Sequence, residues 1–364
     1  MNSSINKRKS QYASTLACIL LFTDSVMAAP AITNVSQISD SPPTLSVSGS
    51  GFTEKKRGAP LYYFDFENGS KQQSKSSFIT NPLTTNGTLT SQTTPTGEGN
   101  ALKYRISDDY RDVAIPRIEI SPAPARLYLY FHRRFDFSIG DSSTWGPSGF
   151  NLKVNRFWGN DGNNIYLGYQ GKEGANSARI YAEYTAEGGS VWPGSELGQV
   201  KGQWTQEEII YSASDINVKN GKFDFIRNGI LPYSRTWRMR TSDRPSMYNE
   251  IYFDQISNGA NTSQDLNIYY DNIYIDDSHH RIYISESPTF SDAKKRLIQV
   301  PVSWNNNNIQ FLFNPGGSPI DRLYVYISDK NGNINEKGVQ ICQNNCSYSS
   351  TTDAPPAPPS LSIE

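Results

Sequence analysis

The side chains best suited to chemistry lie close together in the segment 127–135, which reads Leu-Tyr-Leu-Tyr-Phe-His-Arg-Arg-Phe. Successive side chains of a β-strand point to opposite faces, so this segment has an apolar face that suits a core and a polar face that suits a wet, ligand-facing surface. On the polar face, a histidine can act as a general base, a tyrosine as an acid, and an arginine can neutralise an anion. The members of the polar face are Tyr128, Tyr130, His132 and Arg134.

A β-fold is needed to position these residues. The chain has 364 residues, including 22 Tyr and 16 Phe, and only 19% of its residues are charged. This composition favours strands joined by polar turns, and no segment has a long helical period. Many short strands predict an all-β fold, a two-sheet sandwich or jelly roll with a small β-appendage. The strand candidates are 101–107, 112–120, 126–137, 149–157, 163–169, 178–185, 204–212, 222–227, 249–256 and 267–276.

The N-terminus has the pattern of an export signal. Basic residues at 7–9 precede an apolar run at 15–22 and the small residues Ala28 and Ala29, which predicts a signal peptide over 1–29 and a secreted, periplasmic or extracellular protein. Beyond this segment no apolar run is long enough to span a membrane. Cleavage would leave a slightly acidic chain, which argues against a nucleic-acid partner.

The remaining chain divides into four segments by composition and pattern. Residues 30–59 form a short strand pair, 60–285 the main β-domain, 286–347 a small β-appendage and 348–364 a proline-rich tail. Within the main domain, residues 70–100 are rich in Ser, Thr, Gln and Asn and predict a long loop. The dipeptides Asn220-Gly221 and Asn228-Gly229 flank an alternating run and predict a hairpin turn on either side of it. The two cysteines of the mature chain, Cys342 and Cys346, predict a local disulfide in an exported protein.

Three motifs in the main domain carry a resemblance to known proteins. They are Phe-Asp-Phe-Glu-Asn-Gly at 64–69, Asn-Gly-Lys-Phe-Asp-Phe-Ile-Arg-Asn-Gly at 220–229 and Tyr-Tyr-Asp-Asn-Ile-Tyr-Ile-Asp at 269–276. Their order resembles the concanavalin A-like lectin/glucanase superfamily, which includes laminin-G-like domains, over roughly 60–285. Residues 30–53 resemble the opening strands of an IPT/TIG-type immunoglobulin-like module, and a strand pair that caps the main domain is the alternative.

The superfamily resemblance implies that the concave sheet binds a glycan, with aromatic rings stacking on sugars and polar groups reaching hydroxyls. Because the candidate face is basic and aromatic, the expected partner is an anionic polysaccharide such as a uronate polymer. Every assignment to this face assumes strict alternation, and one β-bulge would invert part of it. The expected substrate-binding residues are Tyr128, Arg134, Lys153, Asn155, Arg179, Tyr181 and Glu183.

The same residues are compatible with a polysaccharide lyase, which stands as an alternative function. β-Elimination of a uronate needs a base, an acid and a cation that neutralises the carboxylate. His132 is the candidate base, Tyr130, Tyr166 or Tyr181 the acid, and Arg134 or Lys153 the cation. A glycoside hydrolase is less favoured, because no Glu-x-Asp-x-x-Glu strand is present, although the two carboxylates can come from separate strands.

Two further readings remain open at this point. The sequence predicts no required cofactor, but the superfamily resemblance implies a structural calcium ion held between the first and last strands by Asp65, Glu67 and Asp271, since oxygen ligands suit calcium. The third function is a surface or matrix interaction module, with the N-terminal strands and the proline-rich tail as connectors.

Overall fold

The computed structural model describes residues 28–67, 69, 79–84, 87–96, 99–106, 117–139, 141, 143, 150–171, 178–183, 189–191, 198, 200–253, 256–258 and 264–342. Strands dominate the described residues, in agreement with the predicted all-β jelly roll. In chain order, the first strands are β1 (Ala31–Asp40), β2 (Pro43–Ser50), β3 (Tyr62–Phe64), β4 (Ile79–Thr84), β5 (Thr88–Thr90), β6 (Ala101–Arg105), β7 (Arg117–Ile120), β8 (Arg126–Phe135), β9 (Phe150–Gly159), β10 (Asn164–Gly171), β11 (Ala178–Glu183) and β12 (Gly189–Val191).

The second half of the chain continues the antiparallel pattern. A short 3₁₀ turn at Ile320–Arg322 interrupts it near the end. The remaining strands are β13 (Trp204–Ser212), β14 (Gly221–Arg227), β15 (Ile230–Trp237), β16 (Tyr248–Tyr252), β17 (Ile256–Asn258), β18 (Asn267–Asp276), β19 (Arg281–Ser285), β20 (Leu297–Trp304), β21 (Asn308–Leu312), β22 (Tyr324–Ser328) and β23 (Val339–Gln340).

These strands form three sheets. The first sheet has the order β15-β14-β13-β8-β18-β6-β5, with β3 paired to β18, and the second has the order β12-β11-β10-β9-β16-β7-β4, with β17 paired to β9. One apolar core joins these two sheets, and the apolar face of β8 contributes Leu127, Leu129 and Phe131 to it. The first and second sheets are therefore the two layers of the jelly roll, as the alternation of β8 predicts.

The third sheet has the order β1-β2-β21-β20-β19-β22-β23 and draws its strands from both ends of the chain. β2 pairs with β21 over five residues, so the segments 30–59 and 286–347 share one sheet, in contrast to their separate treatment in the sequence prediction. Residues 281–285, assigned to the main domain by sequence, also belong to it. Its own core includes Val47, Ile284 and Phe311.

Two local predictions have different outcomes. The hairpin at Asn228-Gly229 is confirmed, because both residues have positive φ, 47° and 70°, between β14 and β15, as a type I′ turn requires. The prediction of a long loop over 70–100 is wrong, because β4 and β5 lie within it. β4 and β5 are edge strands that pair with β7 and β6, and polar residues such as their Thr and Asn are tolerated at a sheet edge.

Candidate functional site

The outer face of the first sheet is covered where the sequence analysis predicts an open groove. Tyr128 and Tyr130 are fully buried and pack with Tyr283, Ile298 and Tyr326 of the third sheet. The expectation that these two tyrosines face solvent is therefore wrong. The alternation of β8 is correct, but a sheet built from the two ends of the chain lies on its polar face.

Hydrogen bonds and charges at this contact explain the unusual polarity of the buried face. The Tyr128 hydroxyl donates to Glu208 Oε2 at 2.9 Å and lies 2.9 Å from the Tyr283 hydroxyl, which also contacts Glu208. Arg281 Nε donates to the Tyr283 hydroxyl at 2.8 Å. Burial and the Glu208 carboxylate raise the pKa of Tyr128 well above its usual value. These tyrosines therefore stay protonated and join the sheets rather than meet a ligand.

His132 and Arg134 lie at the edge of this contact and remain half-buried. His132 Nε2 lies 3.4 Å from the Tyr130 hydroxyl, and burial lowers the pKa of His132 to about 4. Arg134 contacts Thr93 Oγ1 and lies over the Tyr269 ring at 5.4 Å. His132 is neutral at neutral pH and is separated by the jelly-roll core from the polar face of the second sheet, which carries Lys153 and Tyr166.

The residues expected to bind calcium lie near one another, with Asp271 on β18 and Asp65 and Glu67 just after β3. Burial, with the neighbouring Glu67 and Asp65 carboxylates, raises the pKa of Asp271 well above its usual value, and burial raises that of Glu67 to about 7. Glu67 accepts the Asn100 backbone N–H at 3.0 Å, and Asp271 Oδ1 accepts that of Asn272 at 2.6 Å. Within the described ranges, no group of three or more His, Cys, Asp or Glu side chains is arranged to hold a metal ion. The calcium site stays a prediction.

The outer face of the second sheet carries a row of residues that crosses it perpendicular to the strands, which we call the aromatic row. Its members are directly opposite one another in successive antiparallel pairs from β11 to β7, and directly opposite residues share a face. Neighbouring residues such as Phe157, Ile165 and Ile251 point to the core, so the row points outward. The aromatic row consists of Tyr181, Tyr166, Arg156, Tyr252 and Arg117.

Ring and cation contacts connect the members of the aromatic row. The Tyr166 and Tyr181 rings are 5.4 Å apart, and the Arg156 guanidinium lies 5.5 Å from the Tyr166 ring centre. At the other end, Arg117 Nη1 donates to the Tyr252 hydroxyl at 3.3 Å. Tyr166 and Arg156 are buried within the row, whereas Tyr181, Tyr252 and Arg117 are half-exposed. The row therefore offers two aromatic rings and a guanidinium to a ligand.

A second row lies beside the first, two residues further along each strand, and we call it the acidic row. Its register is continuous from β11 to β7 in the same way. Glu250 and Glu119 are directly opposite each other, and Trp158 is directly opposite Glu250. The Tyr252 hydroxyl donates to Glu250 Oε2 at 2.6 Å, which joins the two rows. The acidic row consists of Glu183, Asn164, Trp158, Glu250 and Glu119.

Lys153 and Arg156 anchor the centre of this face. Lys153 Nζ lies 3.3 Å from Glu183 Oε1 and 4.5 Å from the centre of the Tyr166 ring. Arg156 also pairs with Glu183, and its guanidinium lies 4.0 Å from the centre of the Trp158 ring. Because both cations are less than a tenth exposed, they fix the position of the aromatic rings and carboxylate around them.

A β-bulge in β9 determines which of its residues reach this face. The register with β10 shifts between Lys153 and Asn155, so Lys153 and Arg156 point outward while Asn155 points into the core. Asn155 is fully buried, and its Oδ1 accepts a hydrogen bond from Arg133 Nη1 at 2.8 Å. The prediction that Asn155 lies with Lys153 on the ligand-facing surface is therefore wrong, because the extra residue inverts the alternation.

Buried ion pairs next to Asn155 form a network in the core between the two sheets, and Arg133 connects this network to the bulge. Glu207 lies between Arg133 and Arg227, with its Oε1 2.8 Å from Arg227 Nη2, and the three side chains are at most 5% exposed. Burial by itself raises the pKa of Glu207, but the two guanidinium groups outweigh it and hold this pKa below its usual value. The Glu207 carboxylate is therefore ionised at neutral pH and pairs with both buried arginines.

The structure thus brings together only part of the predicted site. Lys153, Tyr166, Tyr181 and Glu183 share the second sheet's outer face. Arg179 lies on β11 opposite Gly168, and its side chain is outside the described part of the structure. Residues that the sequence analysis did not select are Arg117, Glu119, Arg156, Trp158, Glu250 and Tyr252.

Three other expectations concern the ends of the chain and its relation to membranes. Cys342 is buried, but Cys346 lies outside the described residues, so the disulfide stays a prediction. Most of the predicted signal peptide and the proline-rich tail are outside them as well. In the described ranges, no helix has the length and apolarity needed to cross a membrane.

Comparisons with known proteins find distant structural similarity at low sequence identity. No family model matches the chain, and no curated protein matches it. The marine PL-14 alginate lyase from Aplysia kurodai is 13% identical, with a TM-score of 0.37, over 52% of this chain and 86% of that one. The alginate lyase vAL-1 from Chlorella virus is 10% identical, with a TM-score of 0.39, over 60% of this chain and 99% of that one. The binding domain of Paraclostridial Mosquitocidal Protein 1 is 9% identical, with a TM-score of 0.40, over 74% of this chain and 64% of that one. At these identities the similarity assigns no residue a role.

Proposed function

We propose that this chain binds a polysaccharide, and specifically an anionic one, across the outer face of the second sheet. The observation that carries the proposal is the aromatic row, in which Tyr181, Tyr166, Arg156, Tyr252 and Arg117 face outward on five neighbouring strands. With neighbouring strands about 4.8 Å apart, the row spans about 19 Å, which is the length of several sugar units. A linear glycan laid along the row can contact the half-exposed Tyr181, Tyr252 and Arg117.

The chemistry of the half-exposed residues suits sugars. The faces of Tyr181, Tyr252 and Trp158 can stack on the apolar faces of pyranose rings, and Arg117 offers a planar guanidinium to a carboxylate. Carboxylates of the acidic row can accept hydrogen bonds from sugar hydroxyls. A few polar groups of fixed orientation among aromatic rings are typical of ligand sites.

The rigid support beneath these residues favours binding over a purely structural role. Lys153 and Arg156 are held by Glu183 and by the Tyr166 and Trp158 rings, and the β9 bulge is held by Asn155 from the core side. Side chains that are fixed before binding lose less entropy when a ligand arrives. The N-terminal sequence supports the accompanying proposal that the protein is exported and meets the glycan outside the cytoplasm.

The proposal is tested by affinity gel electrophoresis against alginate, pectin, glucuronan and neutral glucans. We expect the wild type to be retarded most by a uronate-containing gel and Trp158→Ala to lose most of that retardation. The matched control is Trp204→Ala, which removes a half-exposed tryptophan from the first sheet. Equal retardation of wild type and Trp158→Ala in every gel would refute the assignment of this face.

A lyase acting at the same face is a second candidate, favoured by the contact of Lys153 with the Tyr166 ring at 4.5 Å. In β-elimination a base removes the C5 proton, the C4–O bond breaks, a C4=C5 double bond forms and an acid protonates the departing oxygen. Lys153 can neutralise the carboxylate and Tyr166 can protonate the oxygen. His132 lies on the first sheet, so the base must be another group. The candidate is Tyr181, a half-exposed phenol beside Tyr166.

Ultraviolet absorbance of unsaturated uronate ends separates the two candidates. A lyase releases such ends from alginate or glucuronan, and Tyr166→Phe should abolish their release while retaining gel retardation. A binding protein retards in the gel without any absorbance change. Release that is unchanged in Tyr166→Phe would contradict the role given to this phenol.

A further inference from the structure

The charges of the candidate site are segregated between its two edges. The cations Arg117, Arg156 and Lys153 lie in or beyond the aromatic row, whereas the carboxylates Glu183, Glu250 and Glu119 lie in the acidic row. The two rows are two residues apart along each strand, about 7 Å. Because Lys153 and Arg156 are buried and paired with Glu183, a glycan ribbon that lies along the site has the half-exposed Arg117 under one edge and Glu119 and Glu250 under the other.

The acidic edge places two carboxylates directly opposite each other, with the Arg117 guanidinium near both. Glu119 and Glu250 are directly opposite each other on β7 and β16, and like charges in this position destabilise a sheet. The Tyr252 hydroxyl donates to Glu250 and accepts from Arg117, so that a defined hydrogen-bond chain orients Glu250 toward the site. Glu183 is already paired with Lys153 and Arg156. The repulsive field at this edge therefore comes mainly from Glu119 and Glu250.

We propose that this edge selects a glycan whose carboxylates all lie along one side, as in a chain in which acidic and neutral sugars alternate. The inference rests on the proposed function and names the substrate class for the same site. In an extended β-1,4-linked chain, successive sugars are turned over, so their C6 groups alternate between the two edges of the ribbon. A chain with a carboxylate on every sugar presents carboxylates to both edges, and one edge must then meet Glu119 and Glu250. A chain with a carboxylate on every second sugar presents them to Arg117 alone, and its neutral hydroxyls face the glutamates.

Hydroxyls at the acidic edge also form favourable contacts. The Glu119 and Glu250 carboxylates accept hydrogen bonds from sugar hydroxyls, and such charge-assisted bonds are stronger than neutral ones. The same two residues therefore attract one substrate and repel the other, which is an efficient way to build specificity.

Isothermal titration calorimetry with three length-matched β-1,4-glucan oligosaccharides tests the inference. The first is carboxylated at C6 of every second sugar, the second at C6 of every sugar, and the third is neutral. At constant ionic strength we expect the alternating chain to bind about tenfold more tightly than the fully carboxylated chain, as the avoidance of a close like-charge contact implies. In Glu119→Gln/Glu250→Gln the difference should disappear or reverse.

Two controls show that the effect belongs to the acidic edge. Glu54→Gln removes an exposed carboxylate from the third-sheet region and should keep the tenfold preference. The double variant should unfold at nearly the wild-type temperature, because both side chains are half-exposed and glutamine keeps their size and hydrogen-bonding groups. A changed preference therefore reflects the site and not a loss of folding.

The possible results separate this inference from the proposed function. Equal or tighter binding of the fully carboxylated chain by the wild type would overturn the inference while supporting polysaccharide binding. Preservation of the preference in the double variant would also overturn it, since the selecting groups would then be elsewhere. Binding of none of the three chains would count against both the inference and the proposed function.

Discussion

Glu207 is the position where a conservative substitution should be most damaging to this fold. Its carboxylate is shared by Arg133 and Arg227, and all three side chains lie in the core between the sheets, at most 5% exposed. Glu207→Gln preserves size and shape but removes the negative charge that the two guanidinium groups share. The new side-chain N–H groups also face these cations as donors, so one former contact becomes repulsive.

The size of the effect follows from the cost of an unpaired buried charge. Removal of one partner from a buried ion pair costs about 3–5 kcal/mol, which lowers the melting temperature of a domain of this size by on the order of 10 °C. Glu207→Asp retains the charge with a shorter reach, so its loss should be clearly smaller. Glu54→Gln, at an exposed site, should change stability by less than about 0.5 kcal/mol.

Urea denaturation at neutral pH measures these differences directly. We expect the free energy of unfolding to follow the order wild type and Glu54→Gln, then Glu207→Asp, then Glu207→Gln. Equal losses in Glu207→Asp and Glu207→Gln would refute the reasoning, because the cost would then come from altered packing and not from uncompensated charge.

Three further predictions concern the same framework. Burial raises the pKa of Glu67 to about 7 from 4.5, so the folded state binds a proton more tightly and stability should fall as pH rises between these values. The melting temperature of Glu67→Gln should therefore vary less with pH over this range than that of the wild type. Asn155→Leu removes the acceptor of Arg133 and should cost about 1–3 kcal/mol in urea denaturation, whereas Asn155→Asp, which retains it, should cost less. Tyr283→Phe removes the hydroxyl shared by Tyr128, Arg281 and Glu208 and should lower the melting temperature, unlike Tyr324→Phe at a half-exposed position of the third sheet.

Local sequence rules were sufficient for some elements of this fold, although they missed β4 and β5. The alternation in 127–135 separates the core residues Leu127, Leu129 and Phe131 from the polar face, and the structure has the same division. Asn228-Gly229 marks a hairpin because few other residues adopt positive φ at both turn positions. Both features depend only on residues that are neighbours in the chain.

The site depends on relations that no local pattern contains. β16 lies between β9 and β7, which places Tyr252 between Arg156 and Arg117 although these residues are far apart in sequence. The bulge in β9 exchanges the expected faces of Asn155 and Arg156, and a bulge has no unique sequence signature. Strand order and register must be known before the aromatic row can be recognised.

The coverage of the first sheet illustrates the same limit on a larger scale. Tyr128 and Tyr130 have the polar, aromatic character of a ligand-binding face, but Tyr283 and Tyr326 on strands from the C-terminal part of the chain pack against them. A tyrosine suits both situations, because its ring packs in a core and its hydroxyl finds a partner there. Residue type alone could not distinguish a binding face from a contact between sheets.

The measurement that tests the central claim most directly compares matched double variants of the two outer faces. Arg117→Ala/Tyr252→Ala removes a cation and a ring from the second sheet, and His132→Ala/Arg134→Ala removes a ring and a cation from the first. Calorimetric titration with a uronate-containing oligosaccharide should show at least about a tenfold loss of affinity in the second-sheet variant and near wild-type affinity in the first-sheet variant. The opposite order, with binding lost only in His132→Ala/Arg134→Ala, would contradict the account.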